Sequence, residues 1–234
     1  MSKPKPEWMI VGPAGTPRSG RPPWARPAEP EVALEVAARV LAVGGIVVIP
    51  TETFYGLAVM ASDAAALARL ATVKGRDGHK AVPLVAGTRD QVEALAVVPP
   101  ELARLADRFW PGPLTLALEP RVEVPPQVLT QAGTLGIRVS SQPIAAALAT
   151  RAGVISATSA NLAGRSPAQV AIQLEVALSS ACDLVLDAGS CAGGLASTVL
   201  GLEKGRVVLY RAGAIHGAAL ASVLGYEPRE PPAG

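Results

Sequence analysis

Two cationic side chains on a glycine-containing loop are the first candidates for chemistry. Lys74 and Arg76 flank Gly75, just after a segment with helical periodicity. Arginine binds a phosphate as a two-pronged donor and lysine binds it as a point charge, so the pair suits a polyphosphate. The lysine could equally complement the C-terminus of the helix, an effect of roughly a few tenths of a kcal/mol. Taken alone, the pair fits both interpretations.

Two further loops place polar side chains at the ends of predicted strands. PTETFYG at 50–56 follows the apolar run 46–49, and SATSANLAGRS at 156–166 overlaps the end of the run 154–157. Ligands of open α/β sheets bind at the carboxyl ends of strands, and hydroxyl and amide groups there suit a nucleotide or a sugar. A helix predicted to open at Pro167 would add an anion-favouring N-terminus. Ordinary caps and Ser/Asn turns are the alternative explanation.

A fourth polar segment, 187–198, contains GSCAG at 189–193, the spacing of a nucleophile elbow with Cys in place of Ser. Nothing in the sequence brings His79 or His216 to it, so we attribute this spacing to Gly-rich turns. The chain has only two His and two Cys, which disfavours structural zinc and Ser-His-Asp chemistry. GxxxxGK[ST] and GxGxxG are absent, so ATP would bind without a standard phosphate loop.

The segments that must position these loops alternate between helices and strands. Residues 31–226 are predicted to form one α/β domain around a mixed, mostly buried sheet with a core of Ala, Val and Leu. The predicted strands are 46–49, 82–86, 114–118, 135–139, 154–157, 183–186, 198–202 and 206–210. The predicted helices are 31–43, a helix capped by Ser62 and ending at 73, one starting at Thr88, 99–110, 143–151 and 167–178.

Both ends of the chain are predicted to be tails. Residues 1–30 are Pro-rich and basic and should be disordered, because they bury too little apolar surface. Residues 227–234 are expected to be flexible. No apolar h-region follows Met1, so we expect no secretory signal, and no apolar run approaches the about 20 residues that span a membrane. The net charge of +2 favours no particular partner, and the low Cys content favours a reducing cytoplasm.

Taken in order, seven motifs resemble the YrdC/TsaC family. They are GGIVVIPTETFYGLA, VKGR, FWPGPLTLAL, LGIRVSS, SATSANLAG, LDAG with GLASTV, and LYRAGAI. They extend from about residue 40 to 216 and include the family's KxR…SxN signature as Lys74, Arg76, Ser159 and Asn161. The resemblance implies a single YrdC-like domain, with a twisted sheet flanked by helices and a concave basic face for ligands.

Members of this family are threonylcarbamoyl-AMP synthases, which are nucleotidyltransferases. The resemblance implies that the chain combines L-threonine, bicarbonate and ATP, accompanied by Mg²⁺, and releases pyrophosphate. A threonylcarbamoyl transferase complex would pass the group to the adenosine beside the anticodon of tRNA, and contact of this chain with tRNA is left open. Because no covalent enzyme intermediate is needed, positioning and charge stabilisation would carry the catalysis.

The resemblance also implies roles for single residues. The signature residues would be catalytic. The residues implied to bind ATP are Lys74, Arg76, Thr115, Ser159, Asn161, Ser166 and Arg211. Thr53 and Arg138 would hold threonine, with the arginine on its carboxylate, and no metal ligand is assigned. Gly87 aligns with a His that touches threonine in some relatives, and Gln142 stands where a His is common. These departures bear on threonine selectivity more than on ATP binding.

Two other functions compete with this one. An RNA-binding or ribosome-associated module would use the basic concave face for duplex shape without adenylation, although it would not need the four signature residues. An enzyme with the same adenylation chemistry and another acceptor, like a related domain in hydrogenase maturation, would keep them. Salt-dependent RNA binding without ATP turnover would identify the first alternative.

Overall fold

The computed structural model describes residues 5–12, 20–75, 80–162 and 164–230. Within these ranges the chain forms an α/β fold. The strands are β1 (Glu7–Val11), β2 (Arg26–Ala28), β3 (Val47–Ile49), β4 (Gly56–Ala58), β5 (Leu84–Ala86), β6 (Ala96–Val97), β7 (Leu114–Pro120), β8 (Leu135–Val139), β9 (Ile155–Ser156), β10 (Thr158–Ser159), β11 (Leu184–Asp187), β12 (Thr198–Glu203) and β13 (Arg206–Arg211). The helices are α1 (Pro30–Ala42), α2 (Ala64–Lys74), α3 (Arg89–Leu95), α4 (Pro100–Phe109), α5 (Pro143–Ala152), α6 (Val176–Ala181) and α7 (Gly217–Leu224).

The strands divide into two mixed sheets, where the sequence predicted one. The first has the order β10-β4-β3-β11-β1-β2, in which β3, β11, β1 and β2 run parallel. The second has the order β13-β12-β7-β8-β5-β9, with β6 beside β7. The predicted α/β class is confirmed, as are the bounds of β8 and the hairpin formed by β12 and β13.

A short crossing segment joins the two sheets. β9 pairs with β5 in the second sheet, β10 pairs with β4 in the first, and only Ala157 lies between β9 and β10. Ser156 is bonded twice to Val59, the residue after β4: its N–H donates to the Val59 carbonyl (2.8 Å), and its Oγ accepts from the Val59 N–H (3.0 Å). Ser156 and Val59 are fully buried, so moving the crossing would leave polar groups unsatisfied.

The apolar run at β3 is continuous because both faces of the first sheet are covered. Val47 and Ile49 pack in one cluster with Ala37 and Leu41 of α1. Val48, which points the other way, belongs to the larger cluster that fills the space toward the second sheet. The first sheet is therefore a central layer, and the polar loops at its strand ends are held by a rigid core.

The N-terminal segment belongs to this core, so the prediction of a disordered tail over residues 1–30 is wrong for β1 and β2. β1 lies between β11 and β2, and Trp8, Met9 and Ile10 are at most 5% exposed. Arg21 binds the Asp187 carboxylate through Nε (2.5 Å) and Nη2 (3.0 Å), and Trp8 Nε1 donates to it as well (3.3 Å). The segment is ordered by a partner from the far end of the chain, which local composition does not reveal.

Two smaller expectations also differ from the structure. α2 is capped by Asp63 rather than Ser62, because Asp63 Oδ1 accepts the Ala66 N–H (2.9 Å). The predicted C-terminal tail is tied down at Arg229, which is bonded through its backbone to Val207 (3.1 Å) and Leu209 (2.7 Å) of β13. Residues 231–234 lie outside the described part of the chain.

Replacing Arg21 with alanine should lower the free energy of unfolding by about 3 kcal/mol, because the buried Asp187 carboxylate loses its cation. The matched control is Arg39→Ala, which removes an exposed ion pair with Glu35 on α1 and should cost at most about 0.5 kcal/mol. Urea denaturation followed by circular dichroism measures both. Equal losses in the two variants would contradict the structural role of the N-terminal segment.

Candidate functional site

A cavity of about 260 Å³ lies between the two sheets. One wall comes from β4, β10 and the loop before β4, and the other comes from β7, β8, β12 and β13. The predicted site residues that line it are Thr53, Thr115, Arg138, Ser159 and Arg211. Five residues that are far apart in sequence thus meet in one place.

Lys74 lies behind the cavity wall, at the C-terminal end of α2. It is 1% exposed, and its Nζ donates to the Ser159 carbonyl and to Asn161 Oδ1 (3.4 Å). Three residues of the four-residue signature are therefore in contact, and the fourth, Arg76, lies outside the described residues. Ser166 is exposed and does not line the cavity.

Two guanidinium groups share the cavity. Arg211 donates through Nε (3.1 Å) and Nη2 (2.9 Å) to the Ser197 carbonyl, and Ser197 Oγ is bonded to Thr115 Oγ1 (2.9 Å). Partial burial lowers the pKa of Arg211, and the positive charge of Arg138 lowers it further. Two cationic side chains in one cavity are an arrangement suited to an anionic ligand.

A buried carboxylate holds Arg138 from the other side. Glu52 Oε1 lies 2.6 Å from Arg138 Nε, and the two side chains are only 9% and 8% exposed. The contact is an ion pair without the alignment of a hydrogen bond. Glu52 Oε2 accepts from Ser140 Oγ (2.7 Å). Glu52 does not line the main cavity but a neighbouring one of about 280 Å³, together with Gln142 and Cys191.

Tyr55 connects the loop before β4 to the polar segment after β11. Its hydroxyl donates to the Gly189 carbonyl (2.7 Å) and accepts from the Ala188 N–H (3.1 Å). Nearby, the Gly193 N–H donates to the Thr53 carbonyl (2.7 Å). Burial, followed by the charge of Asp187, raises the pKa of the Tyr55 phenol. The segment 189–193, whose spacing resembles a nucleophile elbow, therefore holds the backbone of Thr53 in place.

The helix predicted over 167–178 does not form at its start. The Ala168 carbonyl accepts from the Tyr55 N–H (2.8 Å), and the Gln169 carbonyl accepts from the Cys191 N–H (2.8 Å). These carbonyls are committed to other loops and cannot accept helical bonds, so a single 3₁₀ turn at Ala171–Gln173 precedes α6. The anion-favouring helix N-terminus expected at Pro167 is absent from this described segment.

The two departures from the family pattern lie outside the cavity lining. A β-carbon at Gly87 would collide with Thr150 Oγ1 and the Ala146 carbonyl of α5, so the position leaves no room for the His of some relatives. Gln142 caps α5, because its Oε1 accepts the Ala145 N–H (2.9 Å). Neither position lines the main cavity, and Gln142 lines the neighbouring one.

Three residues that contribute to the site were missed from the sequence. Lys80 and Ser197 line the cavity, and Glu52 supports it from behind. Ser197 and Glu52 stand in polar segments that the sequence had singled out. Which residue of such a segment faces the cavity depends on the backbone course, so the segment was predictable and the residue was not.

Fold and site together define a class: an α/β protein of two joined sheets with two guanidinium groups in a cavity between them. Among the described residues, no group of three or more His, Cys, Asp and Glu could hold a metal ion. No described helix has the length and apolar character needed to cross a bilayer. Residues 39–213 match the Sua5/YciO/YrdC family model, described as "Telomere recombination". The chain belongs to this family, as the sequence motifs predicted.

Individual relatives agree with this assignment. The chain is 35% identical to the threonylcarbamoyl-AMP synthase of Pyrococcus abyssi over 82% of its own length and 57% of that protein. It is 36% identical to the synthase of Nitrosococcus oceani over 67% of its own length and 86% of that protein. The crystal structure of P. abyssi Sua5 complexed with L-threonine matches 97% of this chain and 62% of that one, with a TM-score of 0.83 and 30% identity. The chain thus spans little more than half of the Pyrococcus protein.

Gly87→Ala should lower the free energy of unfolding by about 2 kcal/mol, because the added methyl group overpacks the contact with α5. The control is Gly217→Ala at the start of α7, where a β-carbon meets nothing within 4 Å. That change should stabilise the protein by up to about 1 kcal/mol. Thermal unfolding of both variants measures the difference, and a neutral Gly87→Ala would show that the position can accept a side chain.

Tyr55→Phe should lower the free energy of unfolding by about 2 kcal/mol at pH 7, because the partly buried Gly189 carbonyl and Ala188 N–H lose their partner. The pKa of Tyr55 is raised above its ordinary value of 10.0, so the phenol ionises first in the unfolded chain. Its contribution is therefore complete below about pH 10 and is lost as the pH rises further. The stability gap between wild type and variant should be constant up to about pH 9 and should shrink as the pH rises from about 10 to about 11. A constant gap over that range would contradict the burial of the phenol.

Proposed function

We propose that the chain is a threonylcarbamoyl-AMP synthase, which converts L-threonine, bicarbonate and ATP to threonylcarbamoyl-AMP, pyrophosphate and water. The observation that carries the proposal is the meeting of Arg138 and Arg211 in one cavity beside Ser159. This pair offers separate cations for a carboxylate and for phosphates. The names of the relatives support the same activity over an RNA-binding module.

The residues would act by placing the reactants. The amino nitrogen of threonine attacks the carbon of bicarbonate and water leaves, giving a carbamate. A carbamate oxygen then attacks the α-phosphorus of ATP, and the bond to the β-phosphate breaks with its electron pair on pyrophosphate. Arg138, with Thr53 beside it, would hold the threonine carboxylate. No group of the protein needs to become covalently bound, so orientation supplies much of the rate.

The phosphates would lie on the Arg211 side. Arg211 is oriented by Ser197, and Thr115 shares the same hydrogen-bond network. Lys80 adds a third cation to the lining. Cations fixed in this way stabilise the charge that develops on the leaving pyrophosphate. Mg²⁺ would arrive with ATP as part of the substrate.

The signature residues would complete the phosphate site. Lys74 and Arg76 remain the proposed phosphate ligands, and the ammonium of Lys74 lies at Ser159 on the edge of the cavity. Asn161 Nδ2 donates to the carbonyls of Leu162 (3.0 Å) and Arg165 (2.6 Å) and so shapes the turn before Ser166. Ser159, Asn161 and Ser166 would contact the nucleotide or its metal.

The product implies partners beyond this chain. Threonylcarbamoyl-AMP is an activated mixed anhydride, so a transferase complex would carry its acyl group to the adenosine of tRNA beside the anticodon. Direct contact of this chain with tRNA and a cytoplasmic location belong to the same proposal. They follow from the family's activity, to which the fold and the cavity are suited.

The test is pyrophosphate release from ATP, with L-threonine and bicarbonate each omitted in turn. Release should require both. Arg138→Lys should raise the KM for L-threonine at least about tenfold and leave the KM for ATP within about twofold, because lysine cannot form the two-pronged contact. Arg39→Lys on the exposed face of α1 is the control and should change neither.

Other outcomes would replace the proposal. Release that needs bicarbonate but not threonine would indicate another amine. No release from a folded protein, together with RNA binding that weakens with salt, would identify an RNA-binding module. An unchanged KM for threonine in Arg138→Lys would contradict the assignment of Arg138 alone.

A further inference from the structure

We propose that Glu52 is a positioning residue that assigns Arg138 to a zwitterionic amino acid and keeps the polyphosphate on the Arg211 side of the cavity. The choice of L-threonine as the amino acid rests on the proposed function. The role of Glu52 follows from three observations: its contact with Arg138, the rigid anchoring of its second oxygen, and the sharing of one cavity by two guanidinium groups.

The contact with Glu52 leaves the outer end of the Arg138 guanidinium open. Glu52 contacts Arg138 at Nε, the inner nitrogen of the guanidinium. Among the described residues, no group forms a hydrogen bond with the Arg138 guanidinium, whose Nε is buried without such a partner, and the side chain lines the main cavity. The terminal nitrogens are thus left for a ligand, and the fork they form can accept a carboxylate in two parallel contacts.

The Glu52 carboxylate is itself anchored by a buried serine. Glu52 Oε2 is held by Ser140 Oγ (2.7 Å). Ser140 is 1% exposed, its N–H donates to the Ala86 carbonyl of β5 (3.2 Å), and its Oγ accepts from the Gln142 N–H (3.2 Å). The carboxylate is therefore fixed to the second sheet, the same sheet that carries Arg138. Arg138 is therefore paired with a carboxylate that its own sheet holds in place.

Glu52 compensates the charge of one of the two guanidinium groups in the cavity. Without Glu52, two guanidinium groups would face the cavity uncompensated, and a triphosphate would be attracted to both. With Glu52, the Arg138 side is close to neutral, while Arg211 and Lys80 keep their full charge. The ammonium group of a zwitterion is repelled less by Arg138 when Glu52 compensates its charge, so a zwitterion binds better on that side. A polyanion instead favours Arg211 and Lys80, which have no such compensation. The carboxylate thus separates two subsites within one cavity.

Glu52→Gln tests this assignment, since it keeps the shape of the side chain and removes its charge. Binding of L-threonine and of inorganic pyrophosphate to the full chain is measured separately by titration calorimetry. We expect the affinity for L-threonine to fall at least about tenfold and the affinity for pyrophosphate to rise about threefold or more. Opposite changes cannot come from a general loss of folding, which would weaken both ligands.

Two further variants complete the experiment. Glu31→Gln removes an exposed carboxylate that pairs with Arg151 on the far side of α1 and α5, and it should change neither affinity. Glu52→Asp keeps the charge but withdraws it by one methylene group, so it should lose threonine affinity without gaining pyrophosphate affinity. Glu52→Asp also serves if Glu52→Gln does not fold.

Each remaining outcome decides against the proposal or against its premise. Unchanged threonine affinity in Glu52→Gln, or in Glu52→Asp if only that variant folds, overturns the role of Glu52. A parallel loss of both ligands shows a purely structural ion pair and also overturns it. If the wild type binds pyrophosphate but not L-threonine, the proposed substrate fails. The comparison of pyrophosphate affinity between wild type and Glu52→Gln then still tests whether the Glu52 charge weakens polyphosphate binding.

Discussion

The structure depends on the short crossing from β9 to β10. At this point one stretch of backbone leaves the second sheet and enters the first, and Ser156 satisfies its buried polar groups on Val59. The cavity lies beside this crossing, since Ala157, Thr158 and Ser159 line it. Ser159 and Asn161, the second half of the signature, follow the crossing residue Ala157 at two and four positions. Displacing this backbone would therefore move the cavity wall and the signature together, and the energetic cost of unsatisfied buried groups opposes that displacement.

The cavity concentrates like charge, and the protein holds that charge with a set of fixed partners. Arg211 is oriented by Ser197, Arg138 by Glu52, and Lys74 by Ser159. Cationic groups that are already aimed at the position of the ligand need little reorganisation during reaction, which is the main electrostatic advantage of an enzyme site over water. Burial of the partners also limits screening by salt.

Sequence patterns predicted the strands and turns whose structure depends mainly on neighbouring residues. The strand at β8 and the hairpin of β12 and β13 needed only alternation, apolar runs and a turn at Glu203-Lys204-Gly205. The region after Pro167 failed, because its carbonyls bond to Tyr55 and Cys191. The family motifs located Thr53 and Arg138 in the cavity. They did not reveal Glu52, because its buried ion pair joins the loop before β4 to strand β8, and the two are distant in sequence.

The place of β11 in the first sheet has a consequence for how the chain is made. β11 lies between β3 and β1, two strands that are synthesised long before it. Its register pairs Glu7 with Leu184 and Ile10 with Asp187. Until residues near 184 leave the ribosome, β1 and β3 lack the strand that both of them pair with. The fold is therefore completed by inserting a late strand into the middle of a sheet. Such long-range pairing slows folding and leaves an unpaired edge exposed on the nascent chain.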